Sequence, residues 1–176
     1  METFAPQTFV GNHDVTRIAS RLDDERHLAH ALAILFTVGG VPAVYAGDEQ
    51  AFRGVKEERE GGDDEIRPAF PDHPDQLAPH GTQVYRLHQQ LIGLRRRHPW
   101  LVRAHTTVHH LTNTELVYVL ADDTTFLAVA LNVADHPADL PLPTADWRPT
   151  AGDGRLTGGR AALPPTGWII ATSTRS

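Results

Sequence analysis

The chain has 176 residues, of which 40% are hydrophobic and 22% charged, and its formal net charge at pH 7 is -6. The acidic balance argues against a nucleic-acid-binding protein, which normally carries a basic face. The chain contains no cysteine, which excludes disulfides, thiolate nucleophiles and sulfur-ligated metals. No apolar run approaches the roughly 18 residues of a membrane helix, and the start lacks a signal-peptide pattern. We therefore expect no membrane partner and, if Met1 is the native start, a cytoplasmic protein.

The first half of the chain alternates strand and helix patterns. Residues 8–10 form a short β-favouring apolar run that ends at Gly11, which predicts a buried strand. Residues 23–38 carry apolar side chains at helical spacing between an acidic start and two glycines, which predicts a helix. Residues 41–46 predict a second short strand. A strand, a helix and a strand at this spacing are typical of a βαβ unit with parallel strands.

The patterns change in the second half. Residues 50–80 are rich in charge, glycine and proline and predict a long loop, and residues 82–98 predict an amphipathic helix. Residues 115–133 then predict a β-hairpin, and short β runs continue to residues 167–171. A helical unit followed by a strand-only unit predicts a domain boundary near residues 99–103.

Polar side chains follow both predicted strands of the first half. His13 and Asp14 come after the first strand, and Asp48 and Glu49 come after the second. In parallel α/β folds, ligands bind at the carboxyl ends of the strands, so a site with several carboxylates could form there. The alternative is that both stretches are only turns, in which Asn, Asp and Gly are common.

Two of these stretches resemble motifs of a known family. The stretch FVGNHDVTR, residues 9–17, resembles the fourth sequence motif of the α-amylase superfamily of glycoside hydrolases, and GGVPAVYAGDEQ, residues 39–50, resembles its motif at the eighth barrel strand. The long loop, the second helix and the β region are similar to the family's C-terminal end. The resemblance implies an α+β chain, with a partial (β/α) barrel segment of two strand-helix units over residues 1–100. An antiparallel β-sandwich domain is implied over residues 101–176.

The resemblance also implies roles for single residues. Asp14 looks like the third catalytic carboxylate, which stabilises the oxocarbenium-like transition state, and His13 looks like the histidine that bonds hydroxyls of the same sugar. Arg17 matches the motif's arginine, which orients or supports the site. The implied substrate-binding residues are His13, Asn12, Arg17, Asp48 and Glu49, and no metal ligand is implied.

The two other catalytic carboxyl groups are missing from the expected place. A retaining glycosidase needs a nucleophile and an acid/base about 5–5.5 Å apart, and in this family both precede the Asp14 motif. Arg21, Asp23 and His27 have the spacing of the nucleophile motif, but they follow Asp14 and begin a helix, so we interpret the match as coincidental. A closed barrel takes roughly 200–250 residues, so residues 1–100 are too few to form one.

We therefore predict the C-terminal fragment of an α-amylase-type retaining glycoside hydrolase acting on α-glucans or α-glucosides, inactive as this chain alone. The alternative is a non-catalytic carbohydrate-binding or packing module. The linkage preference, and hydrolysis against transglycosylation, stay open.

Cofactors and partners follow from the same reasoning. No cofactor is expected, although the six acids between Glu57 and Glu65 leave a calcium ion open; the spacing of a calcium loop is absent, and most charge runs are solvated. The expected partner of the complete enzyme is an oligosaccharide or polysaccharide substrate. Self-association of the barrel segment, or disorder in the first hundred residues, is also expected, because its strands have edges that normally pair with neighbours.

Overall fold

The first half of the computed structural model consists of two short strands, three α-helices and connecting 3-10 turns. The structure describes residues 4–73, 76 and 81–174. In chain order the elements are β1 (Gln7–Thr8), α1 (Ile18–Arg21), a 3-10 helix (Glu25–His27), α2 (Leu28–Thr37), β2 (Val41–Pro42), a 3-10 helix (Asp48–Gln50), α3 (Gly81–Arg97) and a 3-10 helix (Pro99–Arg103).

The two strands pair in parallel, as the βαβ pattern predicts. Gln7 lies opposite Val41, and Thr8 lies opposite Pro42. Both strands are shorter than predicted from residues 8–10 and 41–46. Within the described residues each has only the other as a neighbour, so no second ladder of hydrogen bonds extends them.

Helix α2 carries the predicted apolar face but begins later than residue 23. The Asp24 side chain accepts a hydrogen bond from the main-chain N–H of Arg26 at 2.9 Å, and this cap starts a 3-10 turn that leads into the helix. Leu32 and Phe36 of α2 are then fully buried. The helix faces the core with the side chains that the sequence pattern assigned to it.

Helix α3 extends over nearly the predicted residues and contributes an unexpected contact. Arg95 lies near its C-terminus, where a basic side chain is expected to complement its own helix end. Instead Arg95 is buried and donates to the carbonyls of Phe36, Val38 and Gly40, with 2.7 Å to Val38. It therefore satisfies carbonyl groups at the end of α2 that have no partner within the helix.

The second half consists of antiparallel strands in two sheets. The strands are β3 (Thr107–Leu111), β4 (Glu115–Ala121), β5 (Thr125–Asn132), β6 (Ala138–Pro141), β7 (Arg148–Gly152), β8 (Arg155–Thr157), β9 (Arg160–Leu163) and β10 (Trp168–Thr174). The five-stranded sheet has the order β3-β4-β5-β10-β7, and the three-stranded sheet has the order β6-β9-β8. The predicted hairpin is β4-β5, closed by the Asp122 side chain, which accepts bonds from the N–H groups of Thr124 and Thr125 at 2.7 and 2.6 Å.

The central strands of the five-stranded sheet are buried on both faces. Tyr118 and Leu127 on one face share a hydrophobic cluster with Leu32 of α2 and Leu91 of α3. On the other face Val117 packs with residues of the three-stranded sheet in a second cluster. Alternate residues of β4 thus pack into two different cores, because successive side chains of a strand point to opposite faces of the sheet.

Polar contacts join the helices to the same sheet. The Tyr118 hydroxyl lies 2.5 Å from Thr37 Oγ1 at the end of α2. His30 Nε2 lies 3.1 Å from the carbonyl of Asn132 and 3.2 Å from that of Gly167. The first core therefore continues across the predicted boundary near residue 100, and the division into two domains stays a prediction.

The order of elements confirms the predicted α+β class, with strand-helix units followed by antiparallel sheets. Within the described parts of the chain, every helix is too short or too polar to cross a lipid bilayer.

Candidate active site

The parallel pairing places two polar segments at one edge. The pairing continues past the strands, because the N–H of Ala43 donates to the carbonyl of Thr8 at 2.8 Å. After the first strand the chain passes Gly11 and turns at His13 and Asp14, and after the second strand it turns at Gly47. The two turns meet closely: a Cβ atom added to Gly11 would lie 2.6 Å from Oδ2 of Asp48. The strand ends that the sequence predicts to form a site are therefore adjacent.

The turn after β1 exposes the two residues with predicted catalytic-site roles. Asn12 Oδ1 accepts a hydrogen bond from the N–H of Asp14 at 2.8 Å, which forms a tight Asx turn. His13 is exposed, and the Asp14 side chain is 62% exposed. Both side chains are thus accessible from solvent at the carboxyl end of the strand.

Asp14 is held as a carboxylate. Lys56 Nζ lies 2.5 Å from Asp14 Oδ1. The hydrogen bond and the positive charge of this lysine lower the pKa of Asp14 below its usual range, with smaller contributions from His13 and Arg67. At neutral pH the exposed oxygen atoms of Asp14 therefore carry a negative charge.

Arg17 lies beneath the turn, and its side chain is only 2% exposed. Its guanidinium donates to the carbonyl of Ile66 at 3.0 Å, to the carbonyl of Ala46 at 2.7 Å and to Oδ1 of Asp48 at 2.9 Å. The Tyr45 ring covers the group, with its centroid 4.2 Å from Cζ of Arg17. These contacts connect both strand ends to the following loop, which agrees with a supporting role.

Asp48 and Glu49 occupy different environments although they are neighbours. Asp48 is buried, and its Oδ2 has no hydrogen-bond partner among the described residues. Burial raises the pKa of Asp48, and the hydrogen bond and charge of Arg17 oppose this shift. Glu49 is half-buried and accepts a hydrogen bond from the N–H of Gly47 at 2.9 Å, so it stabilises its own turn. The substrate-binding roles of Asn12, His13, Arg17, Asp48 and Glu49 remain predictions.

The structure adds two residues that sequence reasoning did not select. Lys56 contacts Asp14, and Arg67 Nε donates to the main-chain carbonyl of His13 at 2.8 Å. Both belong to the segment interpreted from the sequence as a charged loop. They are separated from their partners by 42 and 54 positions, and no local spacing pattern can indicate contacts over such distances.

Three of the six acids between Glu57 and Glu65 make other contacts. Glu57 pairs with Arg59, Asp63 pairs with Arg67, and Glu65 accepts a bond from the N–H of Val55. Over residues 4–73, 76 and 81–174, no group of three His, Cys, Asp or Glu side chains is arranged to hold a metal ion. The binding of calcium was left open by the sequence and stays untested.

The segment with the spacing of a nucleophile motif has local roles. Asp23 is exposed, and the next residue, Asp24, caps the 3-10 turn and pairs with Arg26. His27 lies edge-on to His30, with ring centroids 5.4 Å apart. These contacts are those of a helix start.

Comparison with known proteins decides the family. The model of the α-amylase catalytic domain family matches residues 1–73, the part that carries both strand-end motifs. The cyclomaltodextrin glucanotransferase of Bacillus sp. (strain 38-2) is 31% identical over 125 residues, which is 71% of this chain and 16% of that protein. The chain belongs to the α-amylase superfamily of glycoside hydrolases. The enzyme of the same name from Geobacillus stearothermophilus is also 31% identical over 125 residues.

Solved structures of the α-amylase superfamily confirm the fold. Eubacterium rectale Amy13B matches all of this chain with a TM-score of 0.79 at 15% identity, and the match covers 40% of that chain. The α-amylase from H. orenii matches 95% of this chain with a TM-score of 0.73 at 18% identity, and 39% of it is covered. The partial barrel segment followed by antiparallel sheets is thereby confirmed. The chain spans only 16% of the length of the curated relative from Bacillus sp. (strain 38-2).

Proposed function

We propose that the chain supplies part of the active site of a retaining α-amylase-type glycoside hydrolase that acts on α-glucans or α-glucosides. The observation that carries this proposal is the position of Asp14. Its carboxylate is exposed, ionised and adjacent to His13 at the carboxyl end of two parallel strands. Ligands of barrel folds bind at this end.

The chemistry of the Asp14 carboxylate fits transition-state stabilisation. Cleavage of a glycosidic bond builds positive charge on the sugar ring. A carboxylate whose pKa is lowered by Lys56 stays anionic, so it can face that charge but has no proton to donate. A fixed anion accelerates the reaction to the extent that it binds the charged transition state more tightly than the neutral substrate. The exposed His13 ring can form hydrogen bonds with hydroxyl groups of the same sugar.

The complete reaction needs two further carboxyl groups. The family resemblance assigns the nucleophile and the acid/base to strands that precede the Asp14 motif. The partial coverage of the relatives, 16% of a glucanotransferase and 40% of Amy13B, supports the same interpretation. We infer that this chain is the C-terminal part of such an enzyme and that it has no hydrolytic activity alone.

Activity measurements on two proteins test the proposal. The purified chain is expected to release no product from maltooligosaccharides. A version extended by upstream barrel strands is expected to hydrolyse them with retention of anomeric configuration. Asp14→Asn in the extended protein should reduce kcat about 10²–10³-fold, the usual effect of removing one transition-state-stabilising group. The matched control is Asp23→Asn, which removes the exposed carboxylate of the coincidental motif and should leave kcat unchanged.

Two results would contradict the proposal. Turnover by the 176-residue chain that disappears with Asp14→Asn would show that the chain is itself a complete enzyme. Undiminished turnover of the extended Asp14→Asn protein would remove Asp14 from the reaction.

A cavity in the β region favours carbohydrate binding as a second candidate function. The cavity has a volume of about 210 Å³ and is lined by Trp147, Thr157 and Arg160 among others. The Trp147 ring is held in place, because its Nε1 donates to the carbonyl of Pro143 at 2.7 Å. The cavity is smaller than the roughly 300–1,000 Å³ of typical small-molecule pockets, so it would take one sugar unit of a glucan against the aromatic ring.

Calorimetric titration of the chain with maltoheptaose separates the two candidates. Binding that is lost in Trp147→Ala but kept in Asp14→Asn would favour the binding module. Binding that depends only on Asp14 would place the glucan at the strand ends instead.

A further inference from the structure

Residues 52–67, here called the charged loop, are fastened to the segment that follows Asp14. The N–H of Arg17 donates to the carbonyl of Gly54 at 3.0 Å, and the N–H of Gly54 donates to Ser20 Oγ at 2.9 Å. The N–H of Lys56 donates to Thr16 Oγ1 at 3.0 Å. The main chain at Lys56 is therefore positioned by three hydrogen bonds, and its side chain starts beside the catalytic turn.

A closed ring of contacts surrounds the turn. Lys56 Nζ lies 2.5 Å from Asp14 Oδ1 and 3.6 Å from Asp63 Oδ1. Asp63 Oδ2 lies 2.7 Å from Arg67 Nη2, and Arg67 Nε donates to the carbonyl of His13 at 2.8 Å. Since His13 is bonded to Asp14, the ring returns to its start, with charges that alternate in sign.

The charged loop is folded so that Lys56 and Asp63, two members of this ring, lie side by side. The N–H of Glu57 donates to the carbonyl of Gly62 at 3.1 Å, which closes a tight bend between Lys56 and Asp63. A Cβ atom on Gly62 would lie 2.0 Å from the carbonyl oxygen of Glu57, so the bend requires glycine at this position. The position of Asp63 relative to Lys56 is thus determined by the backbone.

This arrangement differs from an ordinary surface ion pair. Exposed pairs contribute little, because two long side chains must be ordered to form one contact. Lys56 is only 25% exposed, its main chain is already anchored, and its ammonium has a carboxylate on two sides. Networks of this kind are the recognised exception to the weakness of exposed pairs.

We propose that Lys56 is a positioning residue for Asp14, which holds its carboxylate in a fixed orientation at the strand end, while Arg67 fixes the main chain of His13. This proposal rests on the proposed function, in which Asp14 faces the sugar. Lys56 acts through the Asp14 carboxylate and is not proposed to contact the substrate. The charged groups that face Asp14 are Lys56, His13 and Arg67, and Asp63 faces Lys56 from the loop.

The test is an NMR titration of the Asp14 side-chain carboxyl carbon in the 176-residue chain. In the wild type, the pKa of Asp14 is expected below the usual value of an aspartate. Lys56→Met should raise it toward the usual value, and Lys56→Arg should keep it low, because it restores the cation. Reciprocally, Asp14→Asn should lower the pKa of Lys56, since linkage between two groups acts equally in both directions.

Arg59→Gln is the matched control, because Arg59 is a cation of the same loop that pairs with Glu57 instead of Asp14. It should leave the pKa of Asp14 unchanged. An unchanged Asp14 pKa in Lys56→Met would overturn the proposal, as would an equal shift in Arg59→Gln. A purely structural role of Lys56 would alter the unfolding midpoint of the chain without this selective shift.

The titration also separates this proposal from the proposed function. If Lys56→Met leaves the pKa of Asp14 unchanged, the positioning role fails whether or not Asp14 is catalytic. If the pKa shifts as expected but Asp14→Asn leaves the turnover of the extended protein intact, the coupling is supported and the proposed function is overturned.

Discussion

Replacing Arg17 with methionine tests the buried ion pair beneath the candidate active site. The Arg17 side chain is 2% exposed and donates to two main-chain carbonyls and to Asp48 Oδ1. Methionine fills much of the same volume but leaves the Asp48 carboxylate buried without its cation. Removing one partner of a buried pair costs about 3–5 kcal/mol, because the other charge stays uncompensated. We expect Arg17→Met to lower the free energy of unfolding by this amount.

Urea unfolding at neutral pH, followed by far-UV circular dichroism, measures the loss. Arg26→Met is the control, because the Arg26 side chain is 52% exposed and pairs with Asp24 and Asp135 at the surface. The unfolding midpoint of this variant should stay at the wild-type value. The double variant Arg17→Met/Asp48→Leu removes both charges and should recover part of the loss. A wild-type midpoint for Arg17→Met, or a double variant no more stable than the single one, would refute the reasoning.

Three further predictions concern pH, packing and association. Burial lowers the pKa of His30, whose Nε2 lies 3.1 and 3.2 Å from two main-chain carbonyl oxygens. Its folded pKa is therefore below the unfolded value, so its contribution to stability is complete above about pH 6.5 and is lost as the pH falls through the folded pKa. The free energy of unfolding should decrease more steeply between pH 7.5 and 5.5 in the wild type than in His30→Gln, and equal slopes in urea titrations would contradict this. Gly11→Ala should cost about 1–3 kcal/mol in thermal unfolding, because the new Cβ would lie 2.6 Å from Asp48 Oδ2, whereas Gly93→Ala in α3, with its nearest neighbour at 3.4 Å, should cost nothing. Light scattering should show self-association that Phe9→Asp weakens, because Phe9 is 51% exposed beside strands with open edges; a wild-type chain that stays monomeric at about 100 µM would exclude it.

Local patterns predicted most of the elements. The apolar spacing that placed Leu32 and Phe36 inward reflects the period of the helix, and the two apolar runs on either side of a turn indicated β4 and β5. Element bounds were predicted less well. α2 begins at Leu28 instead of residue 23, because the Asp24 cap starts a 3-10 turn first, and a helical pattern alone does not distinguish these two geometries.

For the candidate site, the sequence identified residues but not their surroundings. His13 and Asp14 could be selected from the motif, and strand order indicated that Asp48 would lie nearby. Burial could not be predicted: Arg17 and Asp48 were grouped with the substrate-binding residues, yet they form a buried pair. The environment of a side chain depends on segments that pack over it, here the carbonyl of Ile66, which is 49 positions from Arg17.

The sequence by itself determined the family, the order of elements and the identity of the candidate carboxylate, since motifs and periodic patterns lie within short stretches of chain. Only the tertiary structure decided what surrounds that carboxylate. Lys56 reaches Asp14 across 42 positions, and Arg67 reaches His13 across 54. Such contacts follow from the path of the charged loop, which is set by main-chain bonds to Thr16, Arg17 and Ser20. The sequence therefore gives the charge of each residue, but the tertiary structure determines which residue it pairs with.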